Sequence, residues 1–85
     1  MKSSKVRLFI KPYCGWCHQA IDWLDQHGIV YETLDVTRDA AARQEMAALS
    51  GQTLAPVLEV DGKILADFDT RQLAEFWKKL EKADG

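Results

Sequence analysis

Hydrophobic and polar positions follow two different periods in the first half of the chain. Residues 5–10 begin as an alternating run and finish fully apolar, which is typical of a central strand. Beyond Pro12, apolar residues recur at helical spacing from about Cys14, and Gly28 is placed to end that helix. Residues 29–36 then indicate a second strand. The pattern predicts a β-α-β unit, whose strands should lie parallel with a right-handed crossover.

The second half of the pattern predicts a helix followed by a hairpin. Residues 37–49 are rich in Ala, Gln, Glu and Met, which are good helix formers. Two apolar runs, 57–60 and 63–66, flank the pair Asp61-Gly62. An Asp-Gly pair between apolar runs indicates a tight hairpin turn, because both central positions of a type I′ turn need positive φ.

The last segment predicts a third helix and completes the fold. Asp69 has the position of an N-cap and Gln72 that of its capping-box partner, and an apolar stripe continues to Leu80. The element order is therefore βαβαββα. This order predicts an α/β protein with a minimal thioredoxin-like fold, in which three helices flank a four-stranded mixed sheet. We expect residues 1–85 to form a single domain.

Composition and charge exclude several classes of function. The chain has 85 residues and a formal net charge of -2, without a basic run, so we expect no nucleic-acid partner. Its apolar stretches are shorter than the roughly 20 residues of a membrane helix, so we expect no membrane association. The N-terminal segment lacks the pattern of a signal peptide. We therefore expect a cytoplasmic monomer.

The chemistry of the chain is concentrated in its only two cysteines, Cys14 and Cys17, at the junction of the first strand and helix. There, unpaired N–H groups and the positive end of the helix dipole lie beside the first sulfur and favour a thiolate. Lys11, three residues earlier, adds positive charge. Cys17 follows almost one turn later and can attack a mixed disulfide formed by Cys14. The spacing predicts a two-step exchange in which Cys14 attacks and Cys17 resolves.

Other uses of this pair are less well supported by the sequence. A structural disulfide stabilises mainly by closing a long loop, and this loop is short. A zinc site would need two more ligands, and His18 and His27 are poorly spaced to supply them, so we expect no metal. The run Cys-x-x-Cys-His also matches the haem-attachment pattern, but the strand that leads directly into it argues against haem. We expect His18 to be an exposed helix residue.

Three segments resemble the glutaredoxin family. Residues 11–20, Lys-Pro-Tyr-Cys-Gly-Trp-Cys-His-Gln-Ala, resemble the active-site loop of dithiol glutaredoxins, which usually contains Lys-x-x-Cys-Pro-Tyr-Cys. Residues 39–46 are similar to the second helix of that family. Residues 54–57, Leu-Ala-Pro-Val, fall where the family has Thr-Val-Pro with a cis proline. Together these likenesses cover nearly the whole chain.

The resemblance implies a function and a set of site residues. It implies a thiol–disulfide oxidoreductase with Cys14 as nucleophile, Cys17 as resolving thiol and glutathione as co-substrate, acting on disulfide-bearing proteins. Lys11 would pair with a glutathione carboxylate, and the backbone of Ala55 would bind the cysteinyl part. The substrate-binding residues that it implies are Lys11, Tyr13, Trp16, Ala55, Pro56, Asp67 and Phe68.

Two departures from the family pattern keep alternatives open. Before the last helix the family has Gly-Gly and then Cys/Ser-Asp-Asp, whereas residues 65–69 here read Leu-Ala-Asp-Phe-Asp. The Asp67 carboxylate would repel an anionic ligand. With Phe68 in this loop, the chain resembles redoxins that are reduced by thioredoxin reductase and serve ribonucleotide reductase. At position 15 the chain has Gly where the family usually has Pro. At this position it resembles glutaredoxins that bridge a [2Fe-2S] cluster between two subunits. A cluster held by Cys14 and glutathione is therefore a further hypothesis.

Overall fold

The computed structural model of the protein describes residues 5–84. Four strands and three helices confirm the predicted order βαβαββα. Within the described range, no helix is both long enough and apolar enough to cross a membrane. The elements are β1 Val6–Ile10, α1 Gly15–Gln26, β2 Glu32–Asp35, α2 Ala40–Ser50, β3 Val57–Val60, β4 Lys63–Ala66 and α3 Thr70–Asp84.

The strands form one mixed sheet in the order β2-β1-β3-β4. The two inner strands are β1 and β3, which pair antiparallel, while β1 pairs parallel with β2 on its other side. Strand β4 returns antiparallel along β3. The last residue of β1 and the first residue of β3 therefore lie at the same end of the sheet. We call this end the active-site end. The opposite end, which carries the β3–β4 hairpin turn, is the turn end.

Side chains on the two faces of the sheet form two hydrophobic clusters, because successive strand residues point to opposite faces. Leu8 of β1 packs with residues of α1 and α3, whereas Phe9 packs with residues of α2, and both side chains are fully buried. Trp23 and Trp77, which the sequence assigns to apolar helix faces, are partly buried against the first cluster. Each face is thus closed by its own helices: α1 and α3 on one side, α2 on the other.

Two elements are shorter than the sequence pattern predicts. Strand β2 begins at Glu32 rather than at residue 29, because Glu32 already pairs with Arg7, near the beginning of β1. Helix α2 begins at Ala40 rather than at residue 37. Asp39 is its N-cap and accepts a hydrogen bond from the N–H of Ala42, so the helix cannot begin earlier.

The predicted turn and cap are confirmed. Asp61 and Gly62 have φ angles of 50° and 88°, as a type I′ hairpin turn requires. The N–H of Gln72 donates to the Asp69 carboxylate at 2.8 Å, and the N–H of Asp69 donates to Oε1 of Gln72 at 3.0 Å. These reciprocal bonds form a capping box at the beginning of α3.

Candidate active site

Cys14 is the N-cap residue of α1 and lies at the active-site end of the sheet. Its backbone N–H donates to the carbonyl of Lys11 at 3.1 Å, which closes the turn that follows β1. Its Sγ accepts a hydrogen bond from the N–H of Cys17 at 3.2 Å. The sulfur therefore occupies the position that a capping oxygen takes in most helices, where N–H groups and the helix dipole stabilise negative charge.

The two cysteines differ in their access to solvent. Both thiols are free, but Cys14 is half-buried whereas only 1% of Cys17 is exposed. Burial of Cys17, together with its hydrogen bond to Cys14, raises the pKa of the Cys17 thiol to about 12. A disulfide from solution can therefore reach only the Cys14 sulfur, and Cys17 stays protonated beneath it.

The loop that leads into β3 faces the Cys14 sulfur. The peptide bond between Ala55 and Pro56 is cis, as the family resemblance implies. The carbonyl oxygen of Ala55 lies 3.8 Å from Sγ of Cys14. The N–H of Asp67 donates to the carbonyl of Pro56 at 2.9 Å, which attaches the β4–α3 loop to the same place. The loop before β3 therefore contacts both Cys14 and the β4–α3 loop.

On one side of these loops is an open pocket of about 400 Å³, which we call the basic pocket. Lys11 and Arg43 supply two positive charges, and Thr37 and Thr53 supply hydroxyl groups. Among its residues the sequence reasoning singled out only Lys11 as a ligand-binding residue. The sequence does contain a signal for Arg43: it lies three residues before the core residue Met46, so both residues share one face of α2. The pocket is lined by Lys11, Val36, Thr37, Arg43, Met46 and Thr53.

A smaller pocket of about 230 Å³ borders Trp16, and we call it the acidic pocket. Two of the residues that line it, Asp67 and Asp69, are acidic, and the Asp69 carboxylate caps α3. The side chain of Phe68 is only 3% exposed and belongs to the core cluster between the sheet and helices α1 and α3. The N–H of Asp67, one of the residues that the resemblance assigns to substrate binding, donates to the carbonyl of Pro56. The pocket is lined by Trp16, Asp67, Phe68, Asp69 and Gln72.

Exposed apolar side chains are concentrated beside the thiol. Tyr13 is 81% exposed, Trp16 53% and Leu54 56%. Tyr13 directly precedes Cys14, and Leu54 directly precedes Ala55, whose carbonyl contacts the sulfur. These three side chains form an apolar rim around the nucleophile, of the kind that marks contact surfaces for ligands or proteins.

His18 is exposed, as predicted, but its ring also makes a contact that the sequence did not indicate. Its Nε2 lies 2.8 Å from the carbonyl oxygen of Pro12, within hydrogen-bonding distance. The backbone N–H of His18 also donates to the carbonyl of Cys14 at 3.2 Å. The residue therefore joins α1 to the turn that precedes the nucleophile.

Within residues 5–84, no group of three or more His, Cys, Asp or Glu side chains is arranged to hold a metal ion. A [2Fe-2S] cluster shared by two chains would take only the Cys14 sulfur from each protein subunit. The cluster hypothesis therefore stays a prediction.

The fold and this site define the class of protein: a thioredoxin-like protein with a Cys-x-x-Cys pair at a helix N-terminus opposite a cis proline. Residues 6–65 match the family model for glutaredoxin. Since this match covers more than half of the chain, the chain belongs to the glutaredoxin family.

Two relatives support the assignment. A glutaredoxin-like 8.6 kDa protein in the rubredoxin operon of Clostridium pasteurianum is 32% identical over 77 residues, which are 91% of this chain and 99% of that protein. Glutaredoxin 3 of Escherichia coli K12 is 30% identical over 66 residues, which are 78% of this chain and 80% of that protein.

Solved structures share the same fold. A mutant of the thioredoxin-like protein BC3987 superposes with a TM-score of 0.78 at 28% identity, covering 84% of this chain and 96% of that one. A buckwheat glutaredoxin–glutathione complex superposes with a TM-score of 0.64 at 27% identity, covering 75% of this chain and 61% of that one.

Proposed function

We propose that this protein is a thiol–disulfide oxidoreductase that reduces protein disulfides and mixed disulfides with glutathione. The observation that carries the proposal is the asymmetry of the cysteine pair. Cys14 is accessible and accepts a hydrogen bond at its sulfur, while Cys17 is buried and protonated one turn away. Reversible exchange of this kind suits a reducing compartment such as the cytoplasm.

In the first step, the Cys14 thiolate attacks one sulfur of a substrate disulfide. A bond forms between Cys14 Sγ and that sulfur, the substrate S–S bond breaks, and the departing thiolate takes up a proton from water. The N–H of Cys17 and the helix dipole stabilise the attacking thiolate before the reaction. The product is a mixed disulfide on Cys14.

In the second step, Cys17 attacks the Cys14 sulfur and releases the remaining substrate thiol. The Cys14–Cys17 bond forms, the mixed disulfide breaks, and the Cys17 proton passes through water to the departing sulfur. The first step already consumes the Cys14 thiolate, whose hydrogen bond contributes to the raised pKa of Cys17. Mixed-disulfide formation removes that contribution to the raised pKa of Cys17, while burial, the larger cause, remains. Two electrons move from the cysteine pair to the substrate.

The surroundings of Cys14 suit a peptide-like substrate. The backbone of Ala55 lies beside the sulfur, where it can pair with an extended substrate segment through hydrogen bonds of the kind that join neighbouring strands. The basic pocket offers Lys11 and Arg43 to a carboxylate. The bound glutathione of the buckwheat relative supports glutathione as one such ligand. The apolar rim adds contact area for a protein substrate.

The electron donor is tested by NADPH consumption with a small mixed-disulfide substrate. One assay contains glutathione and glutathione reductase, and the other contains thioredoxin reductase alone. We expect turnover with the glutathione system. Turnover only with thioredoxin reductase would assign the protein to the redoxins that serve enzymes such as ribonucleotide reductase. Activity in neither assay would contradict the proposal and favour the [2Fe-2S] hypothesis, which anaerobic reconstitution and its visible absorption bands would then test.

A further inference from the structure

We infer that His18 is a positioning residue, whose ring fixes the turn before Cys14 and so orients the nucleophile for disulfide exchange. This inference rests on the proposed function and deepens it, because it names a residue that acts on the same reaction through Cys14. Three observations carry it: the contact of the His18 ring, the kind of turn that the ring contacts, and a second bond from His18 to Cys14 itself.

The ring of His18 contacts the turn that precedes α1. Its Nε2 lies 2.8 Å from the carbonyl oxygen of Pro12, six residues earlier. A carbonyl oxygen can only accept a hydrogen bond, so Nε2 carries the hydrogen and donates. The side chain is exposed, so packing does not dictate the orientation of the ring. The contact therefore gives the last residue of the Cys-x-x-Cys-His run a role other than haem attachment.

The contacted turn begins at Lys11 and ends at Cys14. The N–H of Cys14 donates to the carbonyl of Lys11 at 3.1 Å and closes the turn. Turns closed by such a bond nevertheless differ in the orientation of their central peptide. Here the central peptide joins Pro12 to Tyr13, and its carbonyl is the group that His18 holds. The ring therefore fixes a part of the turn that the closing bond alone does not determine.

His18 also binds the nucleophile through its backbone. Its N–H donates to the carbonyl of Cys14 at 3.2 Å, and the N–H of Cys17 donates to the Cys14 sulfur at the same distance. Cys14 is thus held by α1 on one side and by the turn on the other, and His18 joins the two. Because exchange requires the attacking sulfur to be aligned with the disulfide, a looser turn should slow it.

The test compares three substitutions of His18 with one at a matched histidine. His18→Leu removes the donor, and His18→Gln keeps an amide donor near the position of Nε2. His18→Asn has its donor nearer the backbone, too far from the Pro12 carbonyl. His27→Leu is the control: His27 is also exposed, and its Nδ1 lies 2.7 Å from the carbonyl oxygen of Trp23, but at the opposite end of α1.

Each reduced protein is mixed with hydroxyethyl disulfide, a small uncharged probe, and intact mass after acid quench gives the second-order rate constant. No external electron donor is needed, so the result does not depend on which reductase serves the protein. We expect His18→Leu and His18→Asn to lower the rate constant about three- to fivefold, as expected for the loss of one hydrogen bond. His18→Gln should keep at least about half of the wild-type rate. His27→Leu should react as fast as wild type.

The pH dependence separates a hydrogen bond from a charge. Nε2 can donate in both the neutral and the charged ring, so the ratio of the wild-type rate to the His18→Gln rate should be constant from about pH 6 to about pH 8. A ratio that grows on acidification would assign the effect to the charge of the ring and overturn the inference. Urea unfolding of each variant shows whether a loss of rate follows a loss of stability.

Equal rates for wild type and His18→Leu would overturn the inference and leave the proposed function intact. The same holds if His18→Gln is as slow as His18→Leu, or if His27→Leu is equally slow. A rate loss that follows the loss of stability across all four variants would also overturn it. Failure of the wild-type protein to react with the probe would overturn the proposed function, and with it the inference.

Discussion

Arginine residues at the two ends of the sheet have opposite surroundings. At the turn end, Arg7 of β1 donates through Nε to Glu59 at 2.6 Å and through its two terminal nitrogens to Glu45 at 2.8 Å. At the active-site end, Arg43 lines the basic pocket, and no carboxylate of residues 5–82 pairs with it. Both side chains carry the same charge. We conclude that the charge of Arg7 stabilises the fold, whereas that of Arg43 is available to a ligand.

The largest effect that separates the two ends should come from Cys14→Ser. Removal of an attacking nucleophile costs at least about a thousandfold in rate. Stability should change little, because Cys14 is only half-buried and serine is a good N-cap. NADPH-coupled turnover and urea unfolding measure the two quantities. Residual activity above a tenth of wild type would contradict the assignment of the nucleophile.

Arg7→Met should destabilise the protein without impairing its chemistry. The side chains of Arg7 and Glu59 are 15% and 16% exposed, so the substitution leaves a mostly buried carboxylate without its partner. Complete burial of such an orphan costs about 3–5 kcal/mol, and we expect about 1–3 kcal/mol here. Urea unfolding measures the loss, and turnover at a temperature where both proteins are folded is the control. Unchanged stability would show that the turn-end ion pairs have no structural role.

Arg43→Gln should weaken substrate binding and leave stability within about 0.5 kcal/mol of wild type, because Arg43 is exposed. We expect KM for a glutathione mixed disulfide to rise about three- to tenfold with little change in kcat, since the lost charge binds the substrate carboxylate in the ground state and the transition state alike. Arg43→Lys should recover part of the loss. A fall in stability comparable with that of Arg7→Met would contradict the comparison.

Acid should weaken the stabilisation that the pair Arg7–Glu45 provides. The hydrogen bonds from Arg7 hold the pKa of the Glu45 carboxyl below its ordinary value of 4.5. A lowered pKa in the folded state means that the stabilisation is present above about pH 4.5 and is lost as the pH falls through the folded-state value. The stability difference between wild type and Arg7→Met should therefore shrink below pH 4.5. A difference that is constant from pH 7 to pH 3 would contradict this.

Local signals in the sequence predict much of the fold. The Asp61-Gly62 turn and the Asp69–Gln72 capping box depend on residues adjacent or three apart, so their chemistry can be read directly. The first residue of β2 lies three residues after the predicted one, because it depends on pairing with β1, which is a long-range property. The same limit explains why the sequence reasoning missed Thr53 in the basic pocket.

In the candidate site, too, the sequence predicts the features that depend on neighbouring residues. The Cys14–Cys17 spacing indicates the chemistry because both residues lie within one helical turn. The bond from the Asp67 N–H to Pro56 continues the β3–β4 ladder that the Asp61-Gly62 turn predicts, one step beyond the pair Val57–Ala66. The contact between the Ala55 carbonyl and Sγ of Cys14 joins positions 41 residues apart, and no local pattern indicates it.

The most direct test of the account is intact-mass analysis after a small symmetric disulfide is added to three reduced proteins. Wild type should lose two hydrogens and carry no adduct, because Cys17 resolves the mixed disulfide. Cys17→Ser should retain one adduct on Cys14, and Cys14→Ser should remain unmodified over the same time, because Cys17 is 1% exposed. An adduct on Cys17 in the Cys14→Ser protein at a rate similar to that of the Cys17→Ser protein would contradict the assigned roles.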